Sequence, residues 1–443
     1  MPQTASPTLP QPVFDEATAT QDPSTFKDKH PSDTARYKAI QNLLKKDVVP
    51  VPPTRAKAGD LYTLESALGG PGADIIKGIV KAGQIVFHAT GDSGASNVGK
   101  YRNEIRVSDQ VTDDYQSASA ATRPAFLYHL GDVVYNFGES KYYYDQFYEP
   151  YRNYPAPIFA IPGNHDSFVI PGTHKADTPL EIFQRNFCAP KPAITVEAAS
   201  LHRTAMTQPG VYFTLDAPFV RIIGLFSNAL EDPGVISSES NKWATVSDVQ
   251  LAYLSAQLER VKTEKYAGAV LLTVHHPPFS YAPPPRTGGG GGNHGGSPNM
   301  LRQIDTICKQ EGVYPHAFIS GHAHNYQRYT RTVNLNGADY DVPFIICGDG
   351  GHNVNALTRA KKGQPSQEPS NGSKVDYLEV KPAVKVGGLL LEKYDDHNYG
   401  YLRITVNKKQ MAIGFHQVGA STLAQSRFDM VTVDLASHTM IAN

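Results

Sequence analysis

Five short polar motifs, each set where an apolar run ends, constrain this 443-residue chain more than any other feature. They are Gly91-Asp92-Ser93-Gly94, Gly131-Asp132-Val133-Val134-Tyr135, Gly163-Asn164-His165-Asp166, Val274-His275-His276-Pro277 and Gly321-His322-Ala323-His324. The runs before them, at 84–89, 125–130, 158–161, 269–274 and 317–320, are short and dense in aliphatic and aromatic residues. That is the pattern of strands buried on both faces. Similar runs stand at 220–226 and 344–347. Between two of them, Ser247-x-x-Gln250 reads as a capping box opening a helix with Leu251, Leu254 and Leu258 on one face. Alternating strands and helices predict an α/β core, in which functional groups collect at the carboxyl ends of the strands.

Taken singly, each motif is weak: a Gly-Asp pair marks many turns, and a lone tyrosine is more often a core residue. Together they supply an Asp, Asn, His and Tyr set suited to binding metal. Two cations about 3.5–4 Å apart can polarise a phosphoryl oxygen, supply hydroxide at neutral pH and neutralise a leaving group, provided a carboxylate bridges them. Asp132 is the bridging candidate. Imidazole beside carboxylate and phenol points to iron, zinc or manganese rather than calcium or magnesium.

On these motifs the chain resembles the calcineurin-like metallophosphoesterases and, within them, the purple acid phosphatases. The first motif reads Gly-Asp-x-Gly, without the Asp-x-His of the wider superfamily, and Tyr135 follows Asp132 by three residues. The resemblance spans about residues 85–355. It implies a two-sheet α/β/β/α sandwich with a dinuclear centre. One ion, ferric, would be held by Asp92, Asp132, Tyr135 and His324. The other, iron, zinc or manganese, would be held by Asp132, Asn164, His275 and His322. His165 corresponds to the family histidine that contacts phosphate or leaving group, which makes it the expected general acid. His294, and with a weaker case His276, is a candidate for the substrate-facing histidines that relatives carry beyond His275.

A net charge of −1 carries no electrostatic footprint for nucleic acid or anionic membrane. The expected partner is a small phosphorylated substrate; oligomeric state is not legible. Three cysteines without Cys-x-x-Cys spacing read as buried thiols. Neither a signal-like start nor a stretch of 18 apolar residues is found, so the expected compartment is the cytoplasm if the chain is a full precursor, and the periplasm or exterior if it is a processed form.

Residues 1–31, rich in proline and small polar residues, are expected to form a disordered arm. A helical extension follows over 32–84, its first helix capped by Ser32 or Asp33 and facing inward with Tyr37, Ile40, Leu43 and Leu44. Further helical pieces at 60–82 break at Gly69-Gly70-Pro71-Gly72, without the alternation of a β-sandwich. The catalytic domain is expected over 85–443. Within it, 282–298 reads either as a flexible linker or as a substrate-gating lid, and 358–376 as a polar surface excursion. Gly348-Asp349-Gly350-Gly351-His352 lacks the Lys-Ser/Thr of a phosphate loop and reads as a tight turn near the metals. His88 and His129 are expected in hydrogen-bonded supporting roles.

No serine elbow is present. The expected activity is therefore hydrolysis of phosphate monoesters by a metal-activated hydroxide. A phosphodiesterase of the same superfamily and a non-catalytic metal- or anion-binding relative are the alternatives.

Overall fold

The computed structural model describes residues 11–14, 35–56, 61–170, 178–199, 201–280, 294, 296–357, 375–376, 389–419 and 425–441. The arm expected over 1–31, apart from 11–14, lies outside them, as do Ser32, Asp33, most of the 282–298 loop and most of 358–376.

The chain opens with α1 (Ala35–Leu44), β1 (Tyr62–Thr63), α2 (Leu64–Leu68) and α3 (Gly72–Ala82). Then come β2 (Gln84–Thr90), α4 (Val98–Ser117), β3 (Pro124–His129), β4 (Ile158–Ala160), α5 (Asn164–Ser167) and α6 (Glu181–Phe187). The middle holds β5 (Phe213–Ala217), β6 (Val220–Leu225), α7 (Val249–Thr263), β7 (Ala269–Val274), α8 (Pro298–Glu311), β8 (Ala317–Ser320), β9 (Tyr326–Leu335) and β10 (Ala338–Cys347). The last strands are β11 (Val375–Asp376), β12 (Leu389–Asp395), β13 (Tyr399–Asn407), β14 (Gln410–Val418), β15 (Gln425–Asp434) and β16 (Met440–Ile441).

Among the described residues these strands form two sheets, ordered β1-β5-β6-β7-β8-β10-β9-β12-β11 and β16-β15-β14-β13-β2-β3-β4. Every apolar run predicted as a strand is one. β2, β3 and β4 run parallel in the smaller sheet, and β6, β7, β8 and β10 run parallel in the larger. Phe87, Phe126 and Phe159 of the smaller sheet share one buried cluster with Ile222, Leu271 and Ile319 of the larger, so the sheets pack face to face. The alternate residues Ile223, Leu272 and Phe318 pack outward on Leu254 and Leu258 of α7 and Met300 and Ile304 of α8. This two-sided burial is why these strands read as continuous apolar runs. On the far side of the smaller sheet, His88 reaches Asp114 of α4 at 2.6 Å and the Tyr154 hydroxyl at 3.1 Å. The layers are helix, sheet, sheet, helix. All three cysteines are buried and free, and no helix of the described residues is long and apolar enough to cross a membrane.

Three local expectations need correction. The helix at 249–263 forms without its capping box, because Gln250 does not turn back on Ser247. Its amide brackets Phe226 instead, accepting from Phe226 N and donating to Phe226 O, both at 2.8 Å. That pair satisfies backbone left open where β6 ends, a demand a local motif does not register. In α1, Tyr37, Ile40 and Leu44 pack on the core, whereas Leu43 is 72 % exposed. The break at Gly69 falls where expected, between α2 and α3, but β1 just before α2 adds a parallel edge strand to β5.

Candidate metal centre

Each motif sits at the carboxyl end of a parallel strand. Asp92 follows β2, Asp132 and Tyr135 follow β3, Asn164 and His165 open α5 after β4, His275 follows β7, and His322 and His324 follow β8. The turns are tight enough to require unusual backbone. Asp92, Asp132 and His322 all adopt positive φ, at 57°, 55° and 69°. Among non-glycine residues, Asp, Asn and His tolerate that region best, and three such residues in one site store strain of about 1–3 kcal/mol each. Gly163 has a different reason for lacking a side chain: a Cβ there would lie 2.1 Å from Asp132 Oδ1. Gly131 combines a φ of 99° with a closest approach of 2.6 Å to His275 Nδ1.

These turns bring two groups of donor atoms together. In the first, the Tyr135 hydroxyl lies 2.9 Å from Asp92 Oδ1 and 3.0 Å from His324 Nε2, with His324 Nε2 3.4 Å from Asp92 Oδ1. In the second, Asn164 Oδ1 lies 3.1 Å from His275 Nε2 and 3.2 Å from His322 Nδ1. Asp132 stands between, its buried Oδ2 at 3.4 Å from His275 Nε2. Ligand atoms of Asp92, Asp132 and His275 all fall within 4.8 Å of one another, a candidate metal-holding cluster. Among the ligand candidates only His324, at 6 %, is more than 1 % exposed, and His165 beside them is 7 % exposed.

The donor set fits a cation. His275 Nδ1 lies 2.8 Å from the Leu130 carbonyl, an acceptor, so Nδ1 carries the proton of the neutral ring and Nε2 presents a lone pair. That lone pair faces two further acceptors, Asp132 Oδ2 and Asn164 Oδ1. Acceptors converging in a buried site repel unless a positive charge lies among them. Burial disfavours a charged imidazole, yet the Asp132 carboxylate outweighs it and holds His275 up at about 9, so at neutral pH a proton on Nε2 supplies that positive charge until a metal cation displaces it. Burial likewise pushes the Asp132 carboxyl up, and the His275 and His165 rings overcome it to keep that carboxyl below its usual range. The Tyr135 phenol is raised by burial and then by the Asp132 and Asp92 carboxylates, so only a strong local positive charge would ionise it.

His165 is held beside this centre by several contacts. Its backbone N–H donates to Asp132 Oδ1 at 2.9 Å, its Nδ1 lies 3.1 Å from Asn136 O, and its ring is 4.2 Å from that of Tyr135. With Nδ1 donating to Asn136 O, Nε2 is the nitrogen left for substrate. His294 also comes to the site, with Nδ1 3.5 Å from His322 Nε2 and its ring 5.0 Å from that of His324. His276 does not face substrate. Ser227 Oγ at 2.7 Å and Leu230 O at 2.6 Å occupy both its nitrogens, and it buttresses the His322 ring from 4.1 Å. His129, as expected, supports from behind, linking Ser93 Oγ and the Gly131 N–H.

Several residues at the site went unnoticed in the sequence. Asp166 accepts from Gly163 N at 2.8 Å and from the backbone of Val133 and Val134, tying the second and third motifs together. Its place in the Gly-Asn-His-Asp run was the available signal. His352, given no role from sequence, stacks on Tyr135 at 3.5 Å, and its Nδ1 lies 2.6 Å from Gly94 O. The turn carrying it does lie against the centre, with Gly350 N donating to Gly91 O and His352 N to Asp92 O. Glu231 accepts from Asn164 Nδ2 at 3.3 Å, and Asp232 Oδ1 lies 3.6 Å from His322 Nε2. Nothing in the spacing of the chain announces either acid.

No curated protein matches the chain. Among solved structures, it is similar to PhoD, with 13 % identity, a TM-score of 0.47, and coverage of 81 % of this chain and 72 % of that one. It is also similar to GAP50, the anchor in the inner membrane complex of Plasmodium, with 13 % identity, a TM-score of 0.46, and coverage of 78 % and 88 %. A model of the calcineurin-like phosphoesterases matches residues 85–326, more than half of the chain and all five motifs, and the protein belongs to that family.

Proposed function

We propose that the chain is a dinuclear metal-dependent phosphomonoesterase of the purple acid phosphatase type, acting on a small phosphorylated substrate. The observation that carries the reading is the pair of donor groups, Asp92–Tyr135–His324 and Asn164–His275–His322, joined across Asp132. In this reading Asp92, Asp132, Tyr135 and His324 would hold a ferric ion, and Asp132, Asn164, His275 and His322 would hold iron, zinc or manganese. Two such cations would supply Lewis acidity at the phosphoryl oxygen and a nucleophilic water at neutral pH. The protein's own part is to hold the phosphate between rigid strand ends, to exclude bulk water around ligands buried to 0–6 % exposure, and to deliver a proton. His165 already uses Nδ1–H on Asn136 O, so it can donate from Nε2 to the leaving-group oxygen only as the doubly protonated ring, a form that burial disfavours and acidic pH restores. His294, beside His322 and His324, contacts the phosphate.

The test pairs elemental analysis with hydrolysis rates on a monoester and a diester of one chromophore. Two ions per chain and faster monoester turnover are expected. Faster diester turnover would transfer the reading to a phosphodiesterase, and retained metal without hydrolysis to a binding protein.

The ferric assignment has its own test in Tyr135. A phenolate on a trivalent ion absorbs in the visible. Tyr135→Phe should abolish that band while keeping the fold, because the ring still stacks on His352 and packs against His165. A colourless, iron-free and fully active wild type would show instead that Tyr135 lines a centre of two divalent ions.

A further inference from the structure

The last turn of α1 and the residues after it run against the loop that follows β6. Val49 N donates to Asn228 Oδ1 at 2.8 Å and Val49 O accepts from Asn228 Nδ2 at 2.7 Å, while Glu231 N donates to Lys45 O at 3.3 Å. This stitching sets two side chains in line with the centre. Lys45 Nζ lies 3.2 Å from Glu231 Oε1, and Glu231 Oε2 accepts from Asn164 Nδ2 at 3.3 Å. At the far end, Asn164 Oδ1 faces His275 Nε2 and His322 Nδ1. Lys45 and Glu231 side chains are 24 % and 14 % exposed, so the pair lies at the edge of the site rather than in open solvent.

An amide can offer a cation only its oxygen. Its NH2 must then point elsewhere, and in a buried site that donor needs an acceptor; otherwise the amide turns over and presents hydrogens to the ion. Glu231 is the acceptor. A partly buried carboxylate holds its charge and direction best with a counter-ion, and Lys45 is that counter-ion. We propose that Lys45 and Glu231 are positioning residues which lock Asn164 Oδ1 onto the second metal site, so that the segment ahead of the family-matched region is a working part of the centre. The inference rests on the dinuclear reading above.

It is tested by adding Zn(II) alone to metal-stripped full-length protein and following uptake by calorimetry and elemental analysis. Partners that orient a metal ligand typically contribute 10- to 100-fold in affinity. Glu231→Leu, which removes the acceptor, should weaken one of two ions by about 10- to 100-fold and leave the other unchanged. Glu231→Gln keeps an acceptor oxygen for Asn164 and should restore most of that loss; Lys45→Met should fall between, and the exposed neighbour Lys46→Met should bind as wild type. Each variant is checked for folding by metal-free thermal unfolding. If Glu231→Leu does not fold, Lys45→Met decides. Unchanged affinities in folded Glu231→Leu, or in Lys45→Met, overturn the proposal, as does equal weakening of both ions. Should wild type bind fewer than two ions, or Asn164→Ala keep both, the dinuclear reading fails and takes this inference with it.

Discussion

Asp132→Asn is expected to lower occupancy at both metal positions and to cut turnover by several kcal/mol of transition-state stabilisation, on the order of 10³-fold or more. Asparagine is the informative substitution. It tolerates the φ of 55° that Asp132 adopts, and its oxygen can still accept the His165 N–H now held at 2.9 Å. The fold should therefore survive, while the negative charge between the two donor groups is lost. Asn164→Ala, by contrast, should weaken one ion only. Metal analysis with steady-state kinetics separates the two cases, and an Asp132→Asn enzyme with two ions and normal turnover would remove Asp132 from its bridging place.

His165→Ala should retain both ions yet turn over roughly 10²- to 10⁴-fold more slowly, the range for a lost proton donor. The geometry makes the separation clean: the backbone of His165, not its ring, bonds to Asp132. Removing the imidazole leaves that bond in place and vacates a position beside the ligands. The decisive comparison is between substrates with good and poor leaving groups, because a general acid matters most for a poor one. Equal slowing for both, or none for either, would reduce His165 to packing against Tyr135.

Most of the core was readable because its signals are local. A strand buried on both faces must be apolar throughout, so β2, β3, β7 and β8 stand out as runs. A ligand at a strand end needs a turn, and the crowded turns at 131 and 163 demand glycine, which is why Gly131 and Gly163 precede Asp132 and Asn164. The two-sheet sandwich followed from those motifs through resemblance rather than from periodicity, which cannot say which sheet a strand joins. The capping box at Ser247 misled for a related reason: Gln250 answered Phe226, a residue brought to it only by folding. Leu43 misled because helical periodicity marks a face and not its edge.

What the sequence determined by itself is the chemical inventory: which side chains end the strands, in what order, and hence the family. Only the tertiary structure decided how these side chains are oriented and supported. That Asn164 leans on Glu231 and Lys45, that His352 stacks under Tyr135, and that His276 faces Leu230 rather than substrate all depend on contacts between segments far apart in the chain. The physical reason is that a buried polar group must find a partner wherever the fold supplies one. Its own residue type states the need, and only the packed neighbours determine what meets it.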